Sequence, residues 1–197
     1  PPEALMKEHW RQSSRPANFW KMVDIGGKER AECGLCPRHC KPPNGKFGFC
    51  GVRGVIDQEF KTFNYGKSVA ATKEVVETEA IYHYAPGEPI LCLGNIGCSL
   101  SCDYCQNWET SQVRHLDPSV VHFYTPEDII KVCLENGIRI ISWTYNDPVV
   151  WQEFVVDTSR LARQHGIKTL YKSAFYIEKA PVAELMDYID IFSVSLK

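Results

Sequence analysis

From residue 89 onward the apolar positions fall into an alternating rhythm. The runs 90–93, 138–143, 167–171 and 189–194 are short and almost continuously apolar. That is the pattern of strands buried on both faces of a parallel sheet. Between them the apolar positions recur at helical spacing. One helix is predicted over 127–136, with Thr125 as its N-cap, Pro126 in its first turn and Gly137 as its stop. A second runs over 149–164, opened by Pro148 and ended near His165-Gly166. A third starts at Glu178 or Pro181 and reaches Asp187, and a short one follows Cys105. The fold class is therefore α/β, a parallel sheet built by crossover helices.

The pattern before residue 89 is less regular. Residues 3–12 carry one apolar side and read as a short helix that Pro16 ends. Phe19, Trp20, Met22, Val23 and Ile25 then offer apolar material to a larger body, and Gly26-Gly27 marks a turn. Residues 52–76 hold short alternating pieces, one or two small strands or a hairpin, with a turn near 64–67. Three parts follow: an N-terminal brace over 1–32, a Cys-rich module over 33–80 and an α/β core over 81–197.

With 197 residues, 44% of them hydrophobic, the chain is long enough for one sizeable core and a small attached module. Its 22 basic and 24 acidic residues leave a formal charge of -2, and no polybasic tract appears. No nucleic-acid partner is expected. No apolar run is long enough to span a bilayer and no signal-peptide pattern is present, so no membrane association is expected.

The cysteines change the picture. Nine are present, an odd number, and seven fall in two tight groups, which argues for metal ligation over a secreted disulfide scaffold. Cys33, Cys36, Cys40 and Cys50 lie in a stretch too rich in Gly and Pro to bury an ordinary core. Four thiolates there suit a structural zinc ion or a second iron-sulfur cluster. His39 is a poor substitute ligand because it adjoins Cys40. The second group, Cys98, Cys102 and Cys105, follows the strand 90–93 and spaces its thiols as C-x3-C-x2-C. A zinc knuckle would need a fourth ligand. Three thiolates on a four-iron cube would instead leave one iron open to a small molecule. Cys92 and Cys133 read as small buried hydrophobes.

The C-x3-C-x2-C loop, with Tyr104 before its last cysteine, resembles the cluster motif of the radical S-adenosylmethionine (SAM) enzymes. The block at 79–87, the loop running into Gln106-Asn107-Trp108, and Thr144-Tyr145-Asn146-Asp147-Pro148 are similar to those of the AmmeMemoRadiSam-system radical SAM proteins, relatives of the pyruvate formate-lyase activating enzyme. The resemblance implies that 81–197 is a radical SAM core, a partial (β/α)6-type, TIM-like barrel. About four of its β/α units are present, so the chain is expected to be part of a longer one. It also implies that Cys98, Cys102 and Cys105 ligate a [4Fe-4S] cluster on which SAM is cleaved to a 5'-deoxyadenosyl radical that abstracts hydrogen.

By the same resemblance Tyr104 packs near the adenine, and Thr144, Asn146 and Asp147 supply oxygens to the SAM ammonium. A capping role for Asn146 or Asp147 is the competing reading. Lys172 and Ser173 stand where relatives often have Asn-Gly, with Lys172 a candidate for the SAM carboxylate. Ser195 replaces a common aspartate. The implied partners are a reductant such as flavodoxin or ferredoxin and a protein or peptide substrate, in a reducing cytoplasm. His83 sits close upstream of the cluster loop and is either a packed histidine or part of the site. A non-catalytic iron-sulfur electron-transfer protein and a zinc-binding interaction protein share the same cysteines and remain alternatives.

Overall fold

The computed structural model describes residues 14–197. The helix expected over 3–12 lies outside the described residues. The strands are β1 (Arg15–Pro16), β2 (Trp20–Asp24), β3 (Glu29–Cys33), β4 (Lys46–Phe47), β5 (Arg53–Ile56), β6 (Glu59–Thr62), β7 (Lys67–Val75), β8 (Pro89–Asn95), β9 (His122–Phe123), β10 (Ile140–Thr144), β11 (Lys168–Ser173) and β12 (Ile191–Val194). The helices are α1 (Trp108–Ser111), α2 (Pro126–Glu135), α3 (Gln152–Gln164) and α4 (Lys179–Tyr188).

The main sheet has six strands in the order β12-β11-β10-β8-β7-β9. Strands β8, β10, β11 and β12 are mutually parallel, with Ile140 opposite Ile90 and Lys168 opposite Ile140. This alternation of parallel strands and helices is consistent with a partial parallel α/β barrel that is open. In β8, Ile90, Leu91, Cys92 and Leu93 are all buried, as a strand covered on both faces requires. β12 departs from the expectation of full burial: Val194 is 63% exposed because the strand forms one margin of the sheet.

Local signals explain the helix boundaries. The Thr125 hydroxyl accepts from the Asp128 amide at 3.2 Å, and the Asp128 carboxylate accepts from the Thr125 amide at 2.8 Å, which closes a capping box ahead of Pro126. The next helix opens differently from its expected continuous run. One 3-10 turn, Pro148–Trp151, precedes α3, and the Asp147 carboxylate caps it by accepting from the Val149 amide. Helix α2 packs on α3, and α3 on α4 and β11. Their core is aromatic: Trp151 packs on Phe154 and edge-on against Trp143, with ring centroids 4.7 and 5.7 Å apart. Both indoles have buried partners, as their N–H groups need: Trp143 donates to the Ser159 hydroxyl and Trp151 to the Asn64 carbonyl.

Before the parallel strands, β2 and β3 form a hairpin across Gly26-Gly27, where both glycines have positive φ and the Gly27 amide donates to Asp24. Here Trp20 stacks on Phe60, but Met22 and Ile25 remain about half exposed, so only part of that apolar stretch packs inward. A second hairpin, β5–β6, turns through Asp57 and Gln58, both at positive φ. β7 is longer than the short pieces expected and pairs antiparallel with β8 over most of its length. Among the described residues, no helix is long and apolar enough to cross a membrane.

Candidate SAM and iron-sulfur site

The residues that follow the parallel strands meet at the carboxyl ends of β8, β10 and β11. After β8 the chain turns through Gly97 at φ +78°, where an added Cβ would stand 2.5 Å from the Cys50 carbonyl oxygen. Only glycine fits this passage. The turn brings Cys98, Cys102 and Cys105 onto the wall of a cavity of about 540 Å³. Cys98 is buried, whereas Cys102 and Cys105 are partly exposed. The Cys98 sulfur accepts from the Leu100 amide at 3.4 Å, and burial, with the Asp147 charge second, pushes its thiol up to about 11. Cys105 lies 3.6 Å from the Ser111 hydroxyl.

The loop after β10 supplies the facing wall. Thr144, Asn146 and Asp147 all line the cavity, as do Lys172 and Ser173 at the end of β11, and Tyr104 at the mouth. Tyr104 is 65% exposed, with the Lys197 ammonium 5.6 Å from its ring centroid. Asp147 is engaged by the protein on both oxygens: Ser173 donates to Oδ1 at 2.8 Å, Val149 to the same atom, and the Ala174 amide to Oδ2 at 3.0 Å. Burial raises its carboxyl above the usual range, against the pull of these bonds. Asp147 thus caps a turn and ties the β10 and β11 loops together.

Asn146 is different. Its amide nitrogen donates to the Asn95 carbonyl at 2.6 Å and to the Thr110 hydroxyl at 3.1 Å, which fixes the orientation of the side chain. Its Oδ1 is buried and has no partner. An unfilled buried acceptor costs stability unless a ligand donor completes it. The neighbouring Tyr145 sits at φ +66°, an uncommon conformation for a non-glycine residue. Its ring lies across Gly94, and its hydroxyl donates to Glu74 at 2.6 Å.

Glu79 is the residue that the sequence did not single out. It is 3% exposed, lines the cavity, and gathers four donors: Ser142 at 3.0 Å, Cys92 at 3.3 Å, Thr144 at 3.1 Å and the Lys172 ammonium at 3.1 Å. The lysine expected to meet a SAM carboxylate is therefore already held by a carboxylate of the protein. Its partners come from three later strands, so the residue type alone gave no signal. Replacing Glu79 with alanine strands several buried donors and is expected to cost about 2–3 kcal/mol in urea unfolding. An unchanged midpoint would show that these contacts do not support the strand ends.

His83 is exposed and does not line this cavity. Cys92 and Cys133 are buried, as small apolar side chains would be. The upstream cysteines lie apart from this cavity, around a smaller one. Among the described residues, no three His, Cys, Asp or Glu side chains converge closely enough to hold a metal ion as they stand. Ligation of an ion or cluster therefore requires the thiols to turn toward it. The donor set of the larger cavity, three thiols and an unpaired buried acceptor beside open space, fits a cluster with one free corner and a small polar ligand.

Comparison with known proteins identifies the family. The family model described as the Radical SAM superfamily matches residues 95–197. An uncharacterized protein of Methanocaldococcus jannaschii is 32% identical over 185 residues, covering 93% of this chain and 53% of its own length. The chain thus spans about half the length of that relative.

Proposed function

Because the chain belongs to the Radical SAM superfamily, we propose that its 540 Å³ cavity holds a [4Fe-4S] cluster on Cys98, Cys102 and Cys105, with SAM on the open iron. The cluster and SAM, when bound, supply a one-electron reductive cleavage that yields the 5'-deoxyadenosyl radical used to abstract hydrogen. The chain's own residues bind and orient. The unpaired Asn146 Oδ1 is the acceptor for the SAM ammonium, where a charge-assisted hydrogen bond replaces the missing one. Thr144 and Asp147 hold their loop to Glu79 and Ser173, so they fix Asn146. Lys172 stands ready for the carboxylate, in competition with Glu79. Tyr104, exposed at the mouth, offers a ring face to the adenine.

The observation that carries this reading is the juxtaposition of the three loop thiols with the unfilled Asn146 oxygen on one cavity wall. The finer resemblance to the AmmeMemoRadiSam-system proteins makes a protein or peptide the preferred substrate and flavodoxin or ferredoxin the electron donor, in a reducing cytoplasm that spares cluster and thiols. The test is Asn146→Ala on anaerobically reconstituted protein. Its iron and sulfide content should match the parent, while SAM affinity falls about 10-fold or more, the loss expected for one hydrogen bond to a charged group. Asn146→Ala with parent-like SAM affinity and 5'-deoxyadenosine release would remove Asn146 from the site.

A further inference from the structure

The four upstream cysteines form a site that the proposed SAM chemistry does not use. Cys33 ends β3, Cys36 and Cys40 lie on the loop that follows, and Cys50 precedes β5. All four line one cavity of about 20 Å³, room for a single water-sized particle. A backbone amide is already aimed at one of the sulfurs. Phe49 donates to Cys40 at 3.4 Å. Gly48 has no side chain because a Cβ there would stand 3.0 Å from Cys40 Cβ and 3.2 Å from its sulfur.

Two further polar groups line the same cavity without a partner: Arg53 Nε, on a side chain 2% exposed, and Ser99 Oγ, on a residue 0% exposed. An arginine Nε–H can only donate, so its missing partner is an acceptor. Neutral thiols are weak acceptors, whereas metal-bound thiolates are anionic ones. His39 is turned away, 2.9 Å from Glu178, which leaves the ligand set to sulfur.

We propose that Cys33, Cys36, Cys40 and Cys50 bind one thiophilic divalent metal ion, zinc or iron, with Arg53 Nε and Ser99 Oγ donating to its thiolates, and that this ion fixes the cysteine loop behind Cys98. On binding, the four thiols release their protons to solvent and turn inward, leaving a doubly negative centre beside the arginine. A single ion suits the small cavity better than a four-iron cube. Coupling to the loop runs through direct contacts: the Arg38 Nε–H donates to the Ser99 carbonyl at 2.5 Å, and Gly97 presses on the Cys50 carbonyl. Metal binding here is independent of the SAM reading, and only the consequence for the loop draws on it.

The test uses the 197-residue chain carrying Cys98→Ala, Cys102→Ala and Cys105→Ala, so that failure of the SAM site cannot affect the outcome. Anaerobic titration with cobalt(II) should give one equivalent with thiolate charge-transfer absorption and the intense visible bands of tetrahedral cobalt. Adding Cys36→Ser and Cys40→Ser should abolish those bands. Ser99→Ala, which leaves all ligands in place, should shift the charge-transfer band and weaken cobalt affinity about 10-fold or more, as loss of a hydrogen bond to a metal ligand does. Amide hydrogen exchange over 97–100 should slow on loading. Elemental analysis of the protein as isolated separates zinc from iron. Free thiols that bind no cobalt, octahedral spectra, or several irons with inorganic sulfide in this variant would each overturn the single-ion site. An unchanged affinity in Ser99→Ala would overturn the role of Ser99, and unchanged exchange the coupling to the loop.

Discussion

Alanine in place of any one of Cys98, Cys102 or Cys105 is expected to take 5'-deoxyadenosine release to background. These three are the cysteines that line the main cavity, and among the described residues no other cysteine reaches its wall. A cube deprived of one thiolate has lost a ligand that no neighbour can replace: Cys92 is buried in β8, and the upstream thiols face a separate cavity. The three substitutions need not have equal effects on folding. Cys98 is buried and accepts from the Leu100 amide, so Cys98→Ala also leaves a donor unfilled, whereas Cys102 and Cys105 are partly exposed. Cys102→Ala and Cys105→Ala are therefore the cleaner variants. Their iron, sulfide and cleavage should all fall while far-ultraviolet circular dichroism is retained. Cleavage persisting in either one would refute the assignment of the cluster ligands.

The largest effect on stability is expected at Arg53 and Glu153. Both are buried, 2% and 8% exposed, and Arg53 Nη1 lies 2.8 and 2.9 Å from the two Glu153 oxygens. The pair is completed by Asn18, whose amide donates to Glu153 and whose carbonyl accepts from Arg53 Nη2. Burial disfavours the arginine charge, yet Glu153 holds the guanidinium protonated above even its ordinary range. Removing one partner leaves the other charged and dry, a change that costs about 3–5 kcal/mol, whereas replacing both with apolar residues costs far less. Glu153→Ala should lower the urea midpoint by the corresponding amount at constant slope. The double variant Arg53→Met, Glu153→Leu should recover much of that loss. A single variant within 1 kcal/mol of the parent, by the threshold usual for surface pairs, would show that water reaches the pair.

Much of the α/β half was legible because its signals are local. The apolar run at Ile90 to Leu93, the Thr125-Pro126 opening and the Gly137 stop each act within one element, and the strands and helix fall where those residues put them. Signals before residue 89 were weaker. The β5–β6 hairpin turns through Asp57-Gln58 at positive φ, a conformation that glycine would have advertised and these two residues do not. β7 could not be seen as part of the main sheet, since its place depends on pairing with β8 across the intervening Pro86-Gly87 turn. In the candidate site, cysteine spacing named the thiols from sequence alone. Glu79 stayed hidden because its meaning is the meeting of Ser142, Thr144 and Lys172. Asp147 was read as either a cap or a SAM contact, and its three protein donors account for the first of these roles.

The pairing of β7 with β8 also limits where the sheet can grow. β8 has β10 on one side and β7 on the other, so both rows of its backbone hydrogen-bonding groups are committed. A cylinder closed through its first parallel strand is therefore ruled out, because no later strand can dock there. Beyond β7, among the described residues, lies the two-residue β9, which pairs with Lys67 and Ser68 and leaves the outer row of β7 from Val69 to Val75 without a neighbouring strand. Among the described residues, new strands can join in register alongside β12, whose outer row is open, or alongside the stretch of β7 that β9 leaves uncovered. Assembly by strand addition, within a longer polypeptide or between copies, therefore has two unlike margins to use, the whole of β12 on one side and the uncovered stretch of β7 on the other.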